Sequence, residues 1–592
     1  MKPFWKVVFG GCLGTLIAFA LFNLILFGML SSAISSLGKK DNSQPVVPRN
    51  AILKIDFNDP IAERTRESFA FDIMSANANL SNSVSVLDAI RALELAAADP
   101  QIRFVYLKAD NLNMGIAQAE ELRNALVRFR ESGKPVVAYS QGLTGGSYYM
   151  ASVADKVILN PYSECMITGL SSQLIYYKDL IDHLGIDVQL IRHGKYKSAG
   201  EPYIKSEMSK ENKEQNEVLL KTVWSVIADG VASSRDFSAE QFNQWIDELV
   251  LDSPEAALEK GLVDELWFDD QVRDYFCTLC DVKKAKDLRY VSLKDYAAAR
   301  VKSNLRAKDK IAVIYADGEI VMDDSGEGEI GNKFAREIAK VRDDDNVKAV
   351  VFRVNSPGGS VQASAAIERE IKLLQEKGIP VVASYGSYAA SGGYWISCSA
   401  DKIFSDKSTL TGSIGVFGLI PSFGRALKKN VHLNVFEVAT HEHGSLASGM
   451  MPLDQQEEAV MQKRIDATYE DFVQHVATGR SLEVPAVDEI AQGRVWAGGD
   501  AIGIGLVDEL GGLVDAIRYA ASIVGLENYR LVEYPAVASM YEQLMAAMNE
   551  EETEQDVRSD AVSFVERTSN WLLGLDGPEV AARMETILIN LK

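Results

Sequence analysis

Short apolar runs alternate with amphipathic segments along most of the chain. Apolar runs at residues 51–57 and 104–107 predict strands, and between them apolar residues recur at helical spacing from 84 to 98. A second helix is predicted at 117–131, and a strand follows it at 136–139. Strands that alternate with helices in this way are typical of a layered α/β fold.

The same succession of elements occurs again in the second half of the chain. Strands are predicted at 311–315 and 349–354, with a helix at 333–341 between them. A long helix follows later in each half, at 211–234 and at 453–478. The repeated order indicates that one α/β unit is present twice.

Two motifs support this duplication. The segment PVVAYSQGLTGGSYYMASVADK at 135–156 resembles PVVASYGSYAASGGYWISCSADK at 380–402, and GLVDEL occurs both at 261–266 and at 505–510. Self-similarity that persists over this length indicates that a whole domain was duplicated. We therefore predict two tandem domains, at residues 49–305 and 306–545.

The N-terminal segment has the composition of a membrane anchor. Residues 7–30 are apolar apart from small residues and Asn23, and this run exceeds the roughly 20 residues that a spanning helix needs. Residues 1–30 are therefore predicted to be a retained transmembrane helix, with a cleaved signal peptide as the alternative. Because Lys2 and Lys6 precede the run, the N-terminus is expected in the cytoplasm.

Two further segments lie outside the predicted domains. Residues 31–48 are rich in Ser, Lys, Asn and Pro and are predicted to be a linker. Residues 546–592 begin with an acidic stretch and then show apolar residues at helical spacing. They are predicted to form a helical tail that packs on the body or on a neighbouring subunit.

Composition excludes several classes of protein. Of 592 residues 47% are apolar, which is ample for large cores, and 61 basic against 83 acidic residues give a net charge of −22, which argues against a nucleic-acid partner. Five cysteines exclude a disulfide scaffold. Cys277 and Cys280 form a lone CxxC, interpreted as packing with a redox or disulfide role as the alternative. The acidic loop 323–329 lacks the spacing of a calcium site, so no metal and no cofactor are expected.

The candidate nucleophile is Ser391, which stands among small residues in AASGGYW. Glycines after it would let a helix begin close to a substrate and leave backbone N–H groups for a developing oxyanion, with Gly392 as one donor. The turn after strand 349–354 adds Gly358 and Gly359 as further candidate donors. A turn that serves packing alone is the plain alternative. In the first copy, Gly145 stands opposite Ser391.

The candidate base comes from the other copy. Lys197 in the first half aligns with Gly444, so the first half keeps a lysine and the second keeps the serine. A lysine acts as a base only when neutral, so its pKa of about 10.4 must fall by roughly three units, about 4 kcal/mol, which burial against apolar walls can impose. Ser413 in LTGSIG is a candidate to orient the amine without adding charge. The pattern therefore predicts one composite serine–lysine site.

Three other interpretations remain open from the residues alone. His441 and His443 lie close to Gly444 and would serve a serine–histidine site. Loss of the serine in one half and of the lysine in the other also fits a decayed, membrane-tethered scaffold. An acyl-CoA enzyme of the crotonase type is a further possibility, although no feature of the sequence indicates a CoA pocket.

Taken together, the motifs resemble one known family. The SPGG turn at 356–359, AASGGYW, TLTGSIG, YKSA and the segment VWAGGDAIGIGLVDELGG at 495–512 resemble the long, double-domain form of signal peptide peptidase A, also called protease IV. The resemblance implies two tandem domains similar to Clp protease and crotonase. It also implies that Ser391 is the nucleophile, that Lys197 is the general base and that Ser413 holds the lysine.

The resemblance implies a biological setting as well. Proteins of this type are membrane-anchored serine endopeptidases that degrade cleaved signal peptides and other apolar peptides, and they work as bowl-shaped homotetramers. The expected location is the bacterial inner membrane, with a single span and with the catalytic domains on the extracytoplasmic side. The sequence leaves open the cleavage preference and whether Lys197 meets Ser391 within one chain or between two.

Overall fold

Parallel strands buried on both faces lie at the centre of each half of the protein. The computed structural model describes residues 45–64, 83–322, 329–446, 448–535 and 581–583. The described residues from Val47 onward belong to one compact unit. The predicted anchor at 1–30 and most of the acidic loop lie outside the described residues. In the part of the chain that is described, no helix has the length and apolar character needed to cross a bilayer.

The first half is built on a sheet of parallel strands in the order β8-β6-β5-β4-β1-β9. Its strands are β1 Ala51–Asp56, β2 Ile61–Ala62, β3 Val84–Ser85, β4 Ile102–Lys108, β5 Val136–Leu143, β6 Lys156–Cys165, β7 Asp187–His193, β8 Glu265–Leu266 and β9 Arg289–Ser292. Its helices are Val86–Ala98, Ile116–Glu131, Gly145–Ala151, Lys178–Leu184, Glu201–Ile204, Lys210–Ala232, Ala239–Asp247, Pro254–Glu259, Asp269–Cys280 and Leu293–Arg300, with a 3₁₀ turn at Ala285–Asp287.

The second half repeats this plan with the sheet order β19-β17-β15-β13-β10-β21, and β16 pairs with β15 beside that path. Its strands are β10 Lys310–Asp317, β11 Glu319–Ile320, β12 Glu329–Ile330, β13 Val347–Ser356, β14 Gly358–Ser360, β15 Val381–Ala390, β16 Lys402–Ser405, β17 Leu410–Gly412, β18 Val416–Ser422, β19 Val495–Ala497, β20 Glu509–Leu510, β21 Arg530–Tyr534 and β22 Ala581–Arg583. Its helices are Asn332–Asp343, Val361–Glu376, Gly392–Trp395, Gly424–Ala426, Gln455–Arg480, Val484–Ile490, Gly498–Ala501 and Leu513–Ile523, with a π turn at Leu427–Val431.

The predicted α/β elements are observed with shifts of a few residues at their ends. Equivalent hydrogen bonds also recur in the two halves. The Tyr148 hydroxyl donates to the Leu262 carbonyl over 2.8 Å, and the Tyr394 hydroxyl donates to the Leu506 carbonyl over 2.9 Å. The aspartate of each GLVDEL motif accepts from a backbone N–H near the start of a strand: Asp264 accepts from Val157 of β6, and Asp508 accepts from Ile403 of β16. The duplication seen in the sequence is therefore repeated in the tertiary contacts.

A third sheet joins the two halves next to the candidate site. Its order is β12-β11-β14-β22-β18-β7, so β7 of the first half pairs antiparallel with β18 of the second half. The pairing extends from Val416 opposite His193 to Ser422 opposite Asp187. Because β7 leads directly into the segment that carries Lys197, this pairing fixes where the lysine enters the second half.

A buried ion cluster also connects the halves. Arg353 on β13 donates to Glu63 over 2.8 Å and to Glu121 over 2.6 Å, and each of these side chains is at most 2% exposed. Arg353 also donates to the Tyr385 carbonyl on β15 over 2.7 Å. Burial raises the pKa of Glu121, and the two carboxylates hold the pKa of Arg353 above its ordinary value despite burial. The cluster therefore links both halves to the strand that leads to Ser391.

Two of the sequence expectations have further outcomes. The tail was predicted to be helical, but residues 581–583, the described part of it, form strand β22 and pair with other strands on both sides. Local periodicity could not reveal this, because the pairing partners lie far away in the chain. Cys277 and Cys280 are unpaired and buried on the helix Asp269–Cys280, where they pack against aromatic residues such as Phe276.

Candidate active site

Ser391 lies where β15 ends and the helix Gly392–Trp395 begins. Its backbone has φ 56° and ψ −116°, an uncommon conformation for a residue with a side chain, and its N–H donates to the Gly412 carbonyl over 2.7 Å. Among the described residues, its side chain makes no capping bond to the helix that it precedes. Strain of this kind persists only where the surrounding structure enforces it. The hydroxyl is thereby directed away from the helix end.

Lys197 reaches Ser391 from the first half of the same chain. Its Nζ lies 2.7 Å from Ser391 Oγ, 3.0 Å from the Ser413 carbonyl and 3.1 Å from Ser413 Oγ. A neutral amine has two N–H donors and one lone pair. The two donors match the two oxygens of Ser413, and the lone pair can accept the proton of the Ser391 hydroxyl. The three contacts therefore suit an uncharged lysine.

Burial favours that uncharged state. Lys197 is only 2% exposed, and desolvation lowers its pKa well below the usual 10.5. A carboxylate beside the amine would raise the pKa again, whereas the cause of the shift at Lys197 is desolvation by burial. The physical requirement stated from the sequence, a lysine in a dry pocket, is met by the geometry.

Ser413 is held in place by its own backbone. It has φ 51°, and its N–H donates to the Arg494 carbonyl over 2.7 Å. The next carbonyl, that of Ile414, accepts from the Gly493 N–H over 2.7 Å. The loop that carries Ser413 therefore forms a short ladder with the turn at 492–494, and this ladder sets the position of both oxygens that contact the lysine.

The three candidate oxyanion glycines lie around this site. Gly392 begins the helix after Ser391, where the first N–H groups have no acceptor within the helix. Gly358 and Gly359 belong to β14, which packs against that helix. The Gly358 N–H donates to the Ser356 hydroxyl over 3.2 Å, and Gly359 pairs with Ile320 on one side and Ala582 on the other. Gly392 is thus the candidate whose position at the helix end most directly suits an oxyanion.

The two histidines occupy another place. His441 Nδ1 lies 2.9 Å from Thr440 Oγ1, and His443 Nδ1 lies 3.2 Å from Glu457. The hydrogen bond to Glu457 raises the pKa of His443. The place beside the Ser391 hydroxyl is taken by Lys197, so the geometry gives the serine–histidine alternative no support.

His443 does belong to a group that could ligate a cation. His443, Asp454 and Glu457 lie within 4.8 Å of one another. Both acids already cap the helix Gln455–Arg480, since Asp454 accepts from its first N–H groups and Glu457 accepts from the Asp454 N–H. These bonds account for the grouping without a metal.

Sequence reasoning missed the residues that support the lysine. Arg192 on β7 donates to the Lys197 carbonyl over 2.6 Å and pairs with the fully buried Glu201 at 3.1 Å. The Gln492 carbonyl accepts from the Tyr196 N–H over 2.9 Å. One signal in the sequence could have indicated the turn at 492–494. The residues QGR contain a turn glycine and stand directly before the VWAGG motif.

A slot one strand wide runs beside the site. Strand β14 carries two of the candidate oxyanion glycines, and β18 follows the loop that carries Ser413. Strand β22 lies between them, antiparallel to both, and it also contacts the helix that begins at Gly392. Neighbouring strands are about 4.8 Å apart, so the edges of β14 and β18 leave room for one extended segment. The arrangement can hold a peptide backbone next to Ser391.

Several protein families and known proteins are similar to this chain. The Peptidase family S49 model matches residues 128–299 and 373–527, and the Clp protease model matches residues 302–406. Protease 4 from Haemophilus influenzae is 33% identical over 543 residues, which is 88% of this chain and 86% of that protein. The chloroplastic serine protease SPPA from Arabidopsis thaliana is 34% identical over 72% of this chain and 64% of that protein. Among solved structures, a ClpP1 mutant from Listeria monocytogenes is 16% identical over 35% of this chain and 94% of that one, with a TM-score of 0.23.

The fold and the site together define a serine peptidase on an α/β fold of the Clp protease type. More particularly, the chain belongs to peptidase family S49, and the resemblance to signal peptide peptidase A (protease IV) is confirmed.

Proposed function

We propose that this peptidase is a membrane-anchored endopeptidase in which Lys197 activates Ser391. The observation that carries the proposal is the 2.7 Å separation between Lys197 Nζ and Ser391 Oγ, with both side chains buried. Each side chain comes from a different half of the chain. The proposed site therefore takes both the lysine and the serine from one chain.

The reaction proceeds through an acyl-enzyme. The Ser391 proton moves to Lys197 Nζ while Oγ bonds to the scissile carbonyl carbon, and the carbonyl oxygen becomes an oxyanion. The backbone N–H of Gly392, together with the backbone of β14 at Gly358 and Gly359, stabilises the negative charge on that oxygen. Lys197 then gives its proton to the leaving amine as the C–N bond breaks. A water that Lys197 deprotonates attacks the ester carbon, the bond from that carbon to Ser391 Oγ breaks, and Lys197 returns the proton to Oγ as the carboxylic acid product leaves.

The proposed substrates are extended, apolar peptides, among them cleaved signal peptides. Strand edges on both sides of the slot would bind a peptide through its backbone, which requires an unfolded segment rather than a particular side chain. The dry pocket around Lys197 favours apolar side chains near the cleavage point. The names of the relatives, Protease 4 and serine protease SPPA, are in keeping with this proposal.

The proposed setting is the bacterial inner membrane. The apolar run at 7–30 supports a single span with the N-terminus in the cytoplasm and the catalytic halves on the extracytoplasmic side. A homotetramer is proposed from the family resemblance. Fractionation of cells, protease protection of spheroplasts and the mass of the detergent-solubilised protein test these three statements.

The catalytic proposal is tested on the full chain in detergent. Ser391→Ala and Lys197→Ala are each expected to reduce cleavage of an apolar peptide by at least about 1,000-fold. Lys195→Ala is the matched control, because Lys195 is an exposed lysine two residues away. A fluorophosphonate probe should label wild type and the Lys195 variant at Ser391. Undiminished cleavage by either the Ser391 or the Lys197 variant contradicts the proposal, and an unlabelled wild type favours the decayed scaffold.

A further inference from the structure

The backbone at Lys197 is pressed against a glycine of the second half. A Cβ added to Gly493 would lie 2.6 Å from the Lys197 backbone N, 2.6 Å from its Cβ and 2.7 Å from its Cα. Real Cβ atoms do not approach other atoms so closely, and Gly493 also has φ 79°. Any side chain at position 493 must therefore move the lysine or the turn.

The contact is close from the other side as well. A Cβ on Gly194, three residues before Lys197, would lie 2.5 Å from the carbonyl carbon and oxygen of Gln492. That carbonyl accepts from the Tyr196 N–H over 2.9 Å. The segment 194–197 and the turn 492–494 are thus packed backbone to backbone, with glycine at each closest approach.

The same turn also holds the other partner of the amine. Gly493 donates to the Ile414 carbonyl over 2.7 Å, and the Arg494 carbonyl accepts from the Ser413 N–H over 2.7 Å. A Cβ on Gly415 would lie 2.7 Å from Gly493 Cα and 3.3 Å from Lys197 Cδ. One short turn therefore touches both the segment that carries the base and the loop that orients it.

We propose that the turn 492–494 is a positioning element, in which Gly493 sets how deeply Lys197 enters the pocket and so how far its amine lies from Ser391. The inference rests on the proposed function. It adds a residue that touches neither substrate nor the reacting atoms but controls the geometry and dryness of the base.

The charged groups around Lys197 are occupied elsewhere. Arg192 donates to the Lys197 carbonyl and pairs with Glu201. Arg494 stacks on the rings of Tyr196 and Trp496, at 4.9 and 4.5 Å, and lies 3.6 Å from Glu214. Desolvation by burial is what lowers the pKa of the amine. Movement of Lys197 toward water is therefore expected to return its pKa toward the ordinary value.

The test is Gly493→Ala in the full chain. A displaced lysine is expected to lower kcat by at least about tenfold with little change in KM, since small misplacements of a catalytic group cost one to two orders of magnitude. The acidic limb of the kcat profile should also shift to higher pH. Fluorophosphonate labelling of Ser391 as a function of pH gives the same readout without a peptide.

Gly378→Ala is the matched control. Gly378 has φ 82°, but no described atom lies within 4 Å of a Cβ placed there. The Gly378→Ala variant has the same backbone strain as Gly493→Ala, but its added methyl group does not crowd any neighbouring residue. Both kcat and its pH profile should therefore remain those of wild type. A Gly493 variant that behaves like the Gly378 variant overturns the inference, whereas active Ser391 and Lys197 variants would overturn the proposed function itself.

A milder variant keeps the test meaningful if Gly493→Ala does not fold. The Gln492 side chain anchors the turn through Asp488 at 2.7 Å and the Tyr469 hydroxyl at 3.1 Å. Gln492→Ala removes these anchors without crowding Lys197. A smaller shift of the pH profile in the same direction is expected, and an unchanged profile counts against the inference.

A separate observation concerns the occupant of the slot. Residues 581–583 pair with Ser360, Gly359 and Gly358 of β14, and Ala581 also lies opposite Phe417 of β18. The segment thus lies in the sheet as one strand between two edges, next to the helix that begins at Gly392. This is the place that the proposed function assigns to an extended substrate.

We infer that the segment 581–583 of this chain competes with substrate for the slot. This inference also rests on the proposed function. A tethered segment is present at a high effective concentration, so even weak pairing would exclude a free peptide. Release of the segment should therefore lower KM for peptides.

Ala582→Pro in the full chain tests the competition, because proline lacks an N–H and does not fit between two paired strands. Peptide KM is expected to fall and fluorophosphonate labelling to become several-fold faster. Ala582→Ser keeps the N–H, so the difference between the two variants measures the pairing. Equal rates and equal KM in the two variants overturn this inference, and loss of labelling in wild type as well overturns the proposed function.

Discussion

The two halves begin the same helix in different ways. In the first half, Thr144 precedes the helix with φ −119° and ψ 171°, and it forms a capping box with Ser147. In the second half, the residue directly before the corresponding helix is Ser391, one position further along in the repeat alignment, and it has φ 56° and makes no capping bond within the described chain. One hydroxyl stabilises its own helix, while the other is held in a strained backbone and lies against Lys197. The hydroxyl of Thr144 is therefore used for helix capping, whereas the hydroxyl of Ser391 is left for the reaction proposed above.

The comparison also explains why a duplicated domain holds one site. The first half gives up the serine position, where the repeat alignment has Gly145, and supplies the amine through the segment after β7. In the proposed mechanism, the second half supplies the nucleophile, the residue that orients the amine and the glycines around the slot. A lysine brought in from another domain can be buried on all sides, because the contact between the halves closes over it.

The largest expected effect comes from making the second half resemble the first. Ser391→Gly gives position 391 the residue that the repeat alignment places there. Peptide cleavage should fall by at least about 1,000-fold. Folding stability should change by no more than about 1 kcal/mol, because glycine adopts φ 56° without strain. Activity assays and thermal unfolding check both parts. Loss of folding with loss of activity would show that the hydroxyl supports the structure.

The next largest effect is on stability, from the buried ion cluster of Arg353, Glu63 and Glu121 that connects the halves. Arg353→Met leaves Glu63 and Glu121 buried without their partner, which should cost about 3–5 kcal/mol of unfolding free energy. Arg369→Met is the control, because its pair with Glu376 is more than half exposed and is expected to be worth less than about 1 kcal/mol. Urea denaturation measures both. Equal losses would mean that the buried cluster does not hold the halves together.

Burial of the lysine should reduce stability. The folded-state pKa of Lys197 lies below its unfolded value, so the unfolded chain binds more protons between the two values and wild-type stability rises with pH across that window. Lys197→Met should therefore raise Tm at neutral pH by a few degrees. The gain should shrink as pH approaches 10.5, where the unfolded lysine also loses its proton. A pH-independent difference in Tm would contradict the lowered pKa.

The same lowered pKa determines the sign of the activity profile. Cleavage should be lost as pH falls through the lowered pKa of Lys197, because the protonated amine cannot accept the Ser391 proton. A fluorophosphonate also reacts with Ser391 only after the serine proton has moved to neutral Lys197. The rate of labelling should therefore fall with pH over the same range as the rate of cleavage. A limb that disappears in His443→Gln would instead assign the titration to that histidine.

The smallest expected effect is in the first half. Thr144→Ala removes a helix cap and should cost about 1 kcal/mol of stability without changing kcat, because that helix lies outside the composite site. Thermal unfolding and peptide cleavage together check it. A change in kcat would mean that the capped helix communicates with the site across the contact between the halves.

Much of this protein follows from local pattern. Helical spacing and apolar runs predicted elements such as Gln455–Arg480 and β13, because the burial of one face leaves a period in the sequence itself. The repeat was visible for the same reason. Ser391, Lys197 and Ser413 were nominated from small-residue turns and from what each copy lacks, and the structure brings the three together within 3.1 Å.

Other features depended on the tertiary structure, because their causes lie in residues far apart in the chain. Strand β22 is formed by pairing with β14 and β18, whereas the apolar spacing of the tail as a whole predicted a helix. In the sequence, Gly493 is indistinguishable from other turn glycines. Its role depends on the backbone of Lys197, which is about half the chain away in sequence and lies against it in the structure. In the sequence, Arg353 is a single charged residue within an apolar strand. Its partners Glu63 and Glu121, which are buried beside it, are evident only in the structure. Local sequence thus determined the helices, the strands and the candidate catalytic residues. Contact between the halves decided how deeply Lys197 is buried, which strands line the slot and which charged side chains are buried in the core.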